Sequence, residues 1–313
     1  MSCGRRIGRA AIAASAERAV GSGAAAERWR LRIRGTVQGV GFRPFVHRLA
    51  SSVGVTGAVG NDGQGVWCEI QGPPARLTEL VERLGAELPP LASVRSLEHD
   101  RIDPVPDEDG FRIAPSDSSS PPGLGLVPPD VAPCAACLAE VADPGDRRAG
   151  YPFTCCTECG PRFTVVRDLP YDRERTSLAD FPLCPECDAE YRDPGSRRFH
   201  AEATCCPRCG PTLARDTWNA AAPDGAVVDE VGERLRRGEI VALKGVGGYQ
   251  LLCRADDDDV VLRLRRRKHR DDKPLALLVA SVERARGLVE LDELAARALV
   301  GPEAPIGRAP RRA

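Results

Sequence analysis

Cysteine enters this chain as a repeated pattern, and that pattern limits the fold more than any other feature. CAACLAEVADPGDRRAGYPFTCCTECGP runs from Cys134 to Pro161, and CPECDAEYRDPGSRRFHAEATCCPRCGP runs from Cys184 to Pro211. Fifteen of the 28 aligned positions are identical without a gap. Each copy holds two C-x2-C pairs separated by 18 residues: Cys134, Cys137, Cys156 and Cys159, then Cys184, Cys187, Cys206 and Cys209. One such pair grips an ion from a single knuckle, and a second knuckle completes a tetrahedron of four sulfurs. Eight of the 13 cysteines are used this way. In a reducing compartment that arithmetic favours metal, with disulfides as the alternative. Two Zn2+ ions are therefore expected. Four protein ligands leave no open position, so the ions should hold the fold and not activate water.

Some details of the repeat stay open. Cys155 and Cys205 give each closing knuckle a spare thiol, and the C-x2-C spacing selects Cys156 and Cys206. The repeat does not say whether ligands pair within or across copies. His200 aligns with Gly150, so it is not expected to be a ligand. The shared D-P-G-x-R-R (Asp143–Arg148, Asp193–Arg198) is expected to cap and solvate a loop. An RNA or partner contact is the alternative for its paired arginines.

Around the repeat the chain divides into blocks. Residues 1–28 read as a disordered leader without the continuous apolar stretch of a secretory signal. Residues 29–115 are compact. Ser116–Asp130 is a Ser/Pro/Gly-rich linker, 131–217 hold the cysteine repeat, and 225–313 form a last block. A formal net charge of −1 points the whole molecule toward neither nucleic acid nor membrane. No apolar run approaches the roughly 20 residues that span a bilayer. The expected location is cytoplasmic.

In the first compact block, Leu31, Ile33 and Val37 alternate as in a strand. Phe45, Val46, Leu49, Ala50 and Val53 keep helical spacing, as do Leu77, Leu80, Val81 and Leu84. NDGQG (Asn61–Gly65) separates two strand-like runs as a hairpin turn, and further strands fall near Val94–Ile102 and Phe111–Ala114. The order is β-α-β-β-α-β. GTVQGVGFRPFV (Gly35–Val46) joins the first strand to the first helix. Gly39 and Gly41 let backbone N–H groups converge on an anion, and the helix start adds its positive end. The phosphate cradle would comprise Gly39, Val40, Gly41, Phe42 and Arg43. The planar fork of Arg43 suits phosphoryl oxygens, and the amide of Asn61 can orient water. A plain glycine turn is the competing reading. VQGVGFR followed by N-D-G-x-G in this frame resembles the acylphosphatase family. That resemblance implies that Arg43 binds phosphate and Asn61 positions the attacking water, both as catalytic residues.

In the last block, Val227–Arg236 and Asp258–His269 read as helices. Ile240–Leu243 reads as a short buried strand, and LALLVA (Leu275–Ala280) as an apolar strand. Lys244 precedes GVGGY, which lacks the G-K-[ST] ending of a Walker loop. Lys268, Arg270 and Lys273 could line a phosphate surface, although a solvated helix face explains such a charge run as well. KGVGGYQLLC and K-H-R-x-x-K-P-L-A-L are similar to the YrdC-like domain, with Asp271 standing where proline is usual. That resemblance implies Lys244, Lys268, Arg270 and Lys273 as nucleotide-binding residues, and it adds double-stranded RNA as a partner.

The whole order resembles the hydrogenase maturation carbamoyltransferases of the HypF family. The implied architecture is α+β multidomain: an acylphosphatase/ferredoxin-like βαββαβ domain, a tandem four-cysteine zinc-finger module and a truncated YrdC-like α/β domain. The implied enzyme uses carbamoyl phosphate and ATP, forms carbamoyl adenylate, and passes the carbamoyl group to a C-terminal cysteine of a HypE-like protein. Family members continue into a transfer domain where this sequence ends in GRAPRRA, so the chain reads as a fragment or frameshift. Acyl phosphate hydrolysis alone is expected to be self-sufficient. The alternative is a zinc-finger/YrdC-like RNA-binding module with an inert acylphosphatase fold.

Overall fold

The computed structural model describes residues 26–117, 127–214 and 224–312. Residues 1–25 of the expected leader and 118–126 of the expected linker lie outside them, as do 215–223 and 313. The chain divides into two compact units. One takes in the residues up to Pro129 with Cys155–Glu158 and Val165–Thr204; the other comprises Asp130–Thr154, Cys159–Thr164 and Cys205–Ala313.

The first unit is built on a five-stranded sheet. Its elements run β1 (Glu27–Thr36), α1 (Phe42–Val53), β2 (Thr56–Asp62), β3 (Gly65–Gly72), α2 (Pro74–Ala86), β4 (Ser93–Ile102) and β5 (Phe111–Ile113). The spatial order is β4-β1-β3-β2-β5. β1 lies antiparallel between β3 and β4, β2 and β3 form the hairpin, and β5 adds to β2 in parallel. Strand periodicity explains β1: Trp29, Leu31 and Ile33 point into the core. Arg28, on the opposite side of the pleat, is buried beneath Glu69 (2.8 Å) and Glu108. β1 thus takes in Glu27 and Arg28, which the sequence reading left in the leader.

Both helices cover one face of this sheet. Phe42, Phe45, Val46, Leu49, Ala50 and Val53 of α1 meet Leu77, Leu80, Val81 and Leu84 of α2 in one core with Val59, Val66, Cys68 and Ile70. Each large apolar side chain taken fully from water there contributes about 1.5–3 kcal/mol. Gly54 closes α1 in the left-handed region and returns its N–H to Ala50. The rest of the unit is mostly irregular, with one α-helix, α4 (Pro185–Arg192).

The second unit contains α3 (Ala135–Ala142), α5 (Asp224–Arg236), the hairpin β6 (Val241–Gly245) and β7 (Gly248–Leu252), α6 (Asp258–Lys268), α7 (Val282–Arg286) and α8 (Glu293–Leu299). Asp257 caps α6 by accepting from the Val260 N–H, and four basic residues fill its last turn, where the helix dipole favours them. Two expectations fail here. β6 occupies the place of the expected buried strand, yet its residues are half-buried or exposed. Leu275–Ala280 is irregular, and Leu278 is 96% exposed. An apolar run becomes a strand only where a neighbour takes up its hydrogen bonds. Among the described residues the β6–β7 sheet has two strands, and neither pairs with 275–280.

No helix among the described residues is long and apolar enough to cross a membrane.

Candidate functional site

The loop between β1 and α1 takes the conformation its glycines permit. Gly39 and Gly41 have φ of +67° and +70°, a region that side chains other than glycine rarely enter. Gly41 is the N-cap of α1, and no side chain caps the helix start. Pro44 has no N–H and the Phe45 N–H returns to the Gly41 carbonyl at 3.0 Å, so the start of the helix offers the Phe42 and Arg43 N–H groups toward an anion. Val40 and Phe42, the other two members of the loop, are buried and anchor it to the core.

Asn61 is the penultimate residue of β2, opposite Val66 and beside the hairpin turn, with 1% of its surface exposed. Among the described residues, neither its Nδ2 nor its Oδ1 has a hydrogen-bond partner. A buried amide without partners costs about 1–3 kcal/mol per group, and such a residue calls for a water or ligand. Gln38 ties this region to the glycine loop. Its Nε2 donates to the carbonyls of Asp62 and Gly65, both at 2.8 Å, and its Oε1 accepts from the Tyr171 N–H at 3.1 Å. The loop and the Asn61 hairpin are therefore fixed to each other by one buried side chain.

Arg43 is buried within two carboxylates. Its Nη2 meets Glu202 Oε1 at 2.6 Å, and its Nη1 meets Asp172 Oδ1 at 3.0 Å and Ser116 Oγ at 3.3 Å. Burial alone would lower the guanidinium's pKa, but Glu202 and Asp172 carry it above the ordinary value, so the charge is secure. Burial pushes the Glu202 carboxyl up, against the pull of Arg43. The donors around it nevertheless keep it an acceptor. Its Oε2 takes the Tyr191 O–H at 2.7 Å and the Arg173 N–H at 3.0 Å. The Tyr191 phenol is itself pushed up by burial and by Glu202, which keeps its proton in place to donate.

The cysteines gather within each copy. The sulfurs of Cys134, Cys137, Cys156 and Cys159 lie within 4.8 Å of one another, and so do those of Cys184, Cys187, Cys206 and Cys209. Four mostly buried thiols at this separation fit a soft ion held tetrahedrally. Cys155 and Cys205 turn away. Cys155 Sγ donates to the Ala203 carbonyl at 3.3 Å, and Cys205 Sγ to the Phe153 carbonyl at 3.8 Å.

The D-P-G-x-R-R stretches do more than solvate. In each, the aspartate side chain accepts the glycine N–H two residues on at 2.8 Å (Asp143 from Gly145, Asp193 from Gly195), closing an Asx turn. The second arginine is buried. Arg148 Nε donates to the Cys205 carbonyl at 3.0 Å, and Arg198 Nε to the Cys155 carbonyl at 3.1 Å. Each copy thus holds the closing knuckle of the other. This corrects the expectation of a solvated loop, and it takes Arg148 and Arg198 away from any RNA surface.

The four candidate nucleotide residues lie on the exposed part of the second unit. Lys244, on β6, has its Nζ 5.7 Å from the Tyr249 ring centre. Lys268 ends α6 and is exposed, as is Lys273. Arg270 Nη2 donates to the Pro274 carbonyl at 2.8 Å. Their loop is wrapped around Arg265, whose Nη1 donates to the carbonyls of Arg270, Asp271 and Lys273 at 2.9–3.1 Å. The residue following Arg270 is therefore held by its backbone, which an aspartate supplies as readily as a proline.

Comparison with known proteins bears on all three regions. The acylphosphatase family model matches residues 29–113, the HypF finger model matches 134–166 and 183–214, and the Sua5/YciO/YrdC model, described as telomere recombination, matches 233–306. The carbamoyltransferase HypF2 of Cupriavidus necator is 51% identical over 282 residues, which cover 89% of this chain and 35% of that protein. The crystal structure of full-length HypF in its phosphate- and nucleotide-bound form superposes with a TM-score of 0.81 at 36% identity. It covers 89% of this chain and 36% of that one. The chain belongs to the HypF family. It spans about a third of the length of the curated HypF relatives it matches. Its first domain is also 42% identical to an acylphosphatase of Caldivirga maquilingensis over 88 residues, 92% of that protein. The HypF architecture of acylphosphatase-like domain, paired four-cysteine clusters and YrdC-like domain is thus present in this order.

Sequence reasoning passed over Gln38, Asp172, Tyr191 and Glu202. Gln38 stands inside the quoted VQGVGFR. A signal for Glu202 was also present: the two copies agree at Arg148/Arg198 and Thr154/Thr204 but differ at Gly150-Tyr151-Pro152 against His200-Ala201-Glu202. Within that divergent stretch, Glu202 is where the second copy reaches Arg43.

Proposed function

We propose that this chain carries the acyl phosphate-hydrolysing and zinc-binding parts of a HypF-type carbamoyltransferase. The observation that carries the reading is the buried, unpartnered amide of Asn61, pinned by Gln38 to an uncapped helix start with a glycine nest. Carbamoyl phosphate would place its phosphoryl group on the N–H groups of Gly39–Arg43 and on the Arg43 fork. Asn61 would hold water against it. No side-chain nucleophile is needed, since catalysis comes from positioning and from stabilising charge as it develops. The products would be phosphate and carbamate.

Zinc would be held by Cys134, Cys137, Cys156 and Cys159, and by Cys184, Cys187, Cys206 and Cys209. Its part is structural, since each set fills the tetrahedron. In the YrdC-like domain Lys244, Lys268, Arg270 and Lys273 would face ATP, toward a carbamoyl adenylate and a HypE-like acceptor in the cytoplasm. Double-stranded RNA is the other ligand class proposed for that basic surface.

The test is hydrolysis of benzoyl phosphate and carbamoyl phosphate by the zinc-loaded protein. Arg43→Ala and Asn61→Ala should each reduce turnover by about 100-fold or more, the scale of losing one preorganised stabilising group. Unchanged hydrolysis in both variants, or none in the parent protein, refutes the reading. Binding of duplex RNA with a steep salt dependence, and no hydrolysis, would favour the RNA module instead.

A further inference from the structure

Arg43 meets two anions of its own before any substrate arrives. An end-on fork offers one donor from each terminal nitrogen to a phosphoryl group. Here Nη2 is on Glu202 at 2.6 Å and Nη1 is on Asp172 at 3.0 Å. An acylphosphatase-like domain standing alone contains neither carboxylate, since both lie in the cysteine-repeat region well beyond residue 113. Glu202 is not a loose side chain that happened to fall there. It is 4% exposed, its second oxygen is held by Tyr191 and Arg173, and the Arg173 guanidinium also grips its backbone carbonyl at 2.8 Å. His200, two residues earlier, holds a left-handed φ of +51°, and Gly150 takes the equivalent φ of +66° in the other copy. The segment keeps a conformation that suits glycine while carrying a histidine, which costs about 1–2 kcal/mol and marks a constrained site.

We infer that Glu202 and Asp172 are affinity-determining residues of the acyl phosphate site, acting as built-in competitors for Arg43. This rests on the acyl phosphate reading given above and deepens it. A phosphoryl group takes the end-on fork by displacing the carboxylates, so the substrate and the product phosphate are both held more weakly than a bare arginine would hold them. The consequence is release: the anion left after hydrolysis is replaced by carboxylates already at hand. The second cysteine copy thereby sets the anion affinity of a site in a different domain.

The experiment measures inorganic phosphate, both as a competitive inhibitor of benzoyl phosphate hydrolysis and by direct calorimetric binding to the zinc-loaded full chain. Glu202→Gln keeps the shape and removes the charge. It should tighten phosphate binding about 10- to 100-fold, the equivalent of one charge-assisted hydrogen bond that no longer has to be exchanged. KM for benzoyl phosphate should fall with it. Asp172→Asn should act in the same direction by a smaller factor, because Asp172 is more exposed and its contact longer. It also decides the matter if Glu202→Gln fails to fold. A merely structural role predicts weaker binding, so phosphate affinity that is unchanged or weaker in the folded variants overturns the inference. Hydrolysis that is lost in Arg43→Ala, with phosphate affinity unchanged in Glu202→Gln and Asp172→Asn, sinks this inference alone. Absence of phosphate binding in parent and variants alike sinks the acyl phosphate reading with it.

Discussion

The two cysteine copies share a frame and differ in what they reach. Both gather four sulfurs, both close a D-P-G turn with an aspartate, and both send a buried arginine to the other's closing knuckle. At 150–152 the first copy has Gly-Tyr-Pro, and the Tyr151 hydroxyl donates to the Pro211 carbonyl at 2.9 Å. At 200–202 the second has His-Ala-Glu, and Glu202 meets Arg43. The difference teaches that duplication kept the residues that make a metal knuckle and left the five residues between Arg148/Arg198 and Thr154/Thr204 free to specialise. One copy uses them to brace the repeat, and the other uses them to enter a neighbouring site.

Four measurements can break or sharpen that comparison. Cys156→Ser and Cys206→Ser should each lower bound zinc from two ions to one, with the largest loss of stability of any pair of changes. A structural zinc site is worth on the order of 10 kcal/mol. If the copies differ as argued, the second substitution also alters phosphate affinity and the first does not; elemental analysis beside phosphate calorimetry decides. Arg148→Ala and Arg198→Ala come next. Each strands a buried carbonyl, so denaturant unfolding should show a loss of about 1–3 kcal/mol for either one. A large effect from one and none from the other would refute the crossed pairing.

A third contrast lies in pH. Burial, helped by Arg43, pushes His200 down from 6.5 to about 4, so the folded protein keeps it neutral. Between those values the unfolded chain binds the proton and the folded one does not. Stability is therefore full above about pH 6.5 and falls as pH drops toward 4. His200→Asn, which tolerates the left-handed backbone, should remove that part of the acid sensitivity, read as a flatter difference curve of unfolding free energy against pH. The smallest effect concerns the paired threonines. Thr154 Oγ1 donates to the Tyr151 carbonyl at 2.9 Å, whereas Thr204 Oγ1 is buried without a partner among the described residues. Thr154→Val should cost about 1 kcal/mol, and Thr204→Val should be neutral or stabilising, as thermal melting will show.

The parts of this molecule written in local pattern were readable from the sequence. Alternating Leu31 and Ile33, the helical spacing through Val53, the hairpin at Asn61–Gly65 and the twinned C-x2-C pairs each announce themselves within a few residues. Arg43 is legible in the same way, as the residue that closes the glycine loop between β1 and α1. Its carboxylates were not, because Glu202 lies 159 residues further along and no periodicity links them. Leu275–Ala280 misled for the complementary reason. An apolar run resembles a strand whether or not another strand lies beside it, and only pairing separates the two cases.

The crossed arginines make the duplication indivisible. Arg148 reaches 57 residues forward and Arg198 43 residues back, so excising either copy removes a donor that the survivor's knuckle depends on. A gene fragment encoding one copy would therefore yield a knuckle with an orphaned carbonyl at Cys155 or Cys205. The smallest piece that keeps every knuckle satisfied is the pair, and ribosomal synthesis must deliver Arg198 before the first copy's closing knuckle can settle.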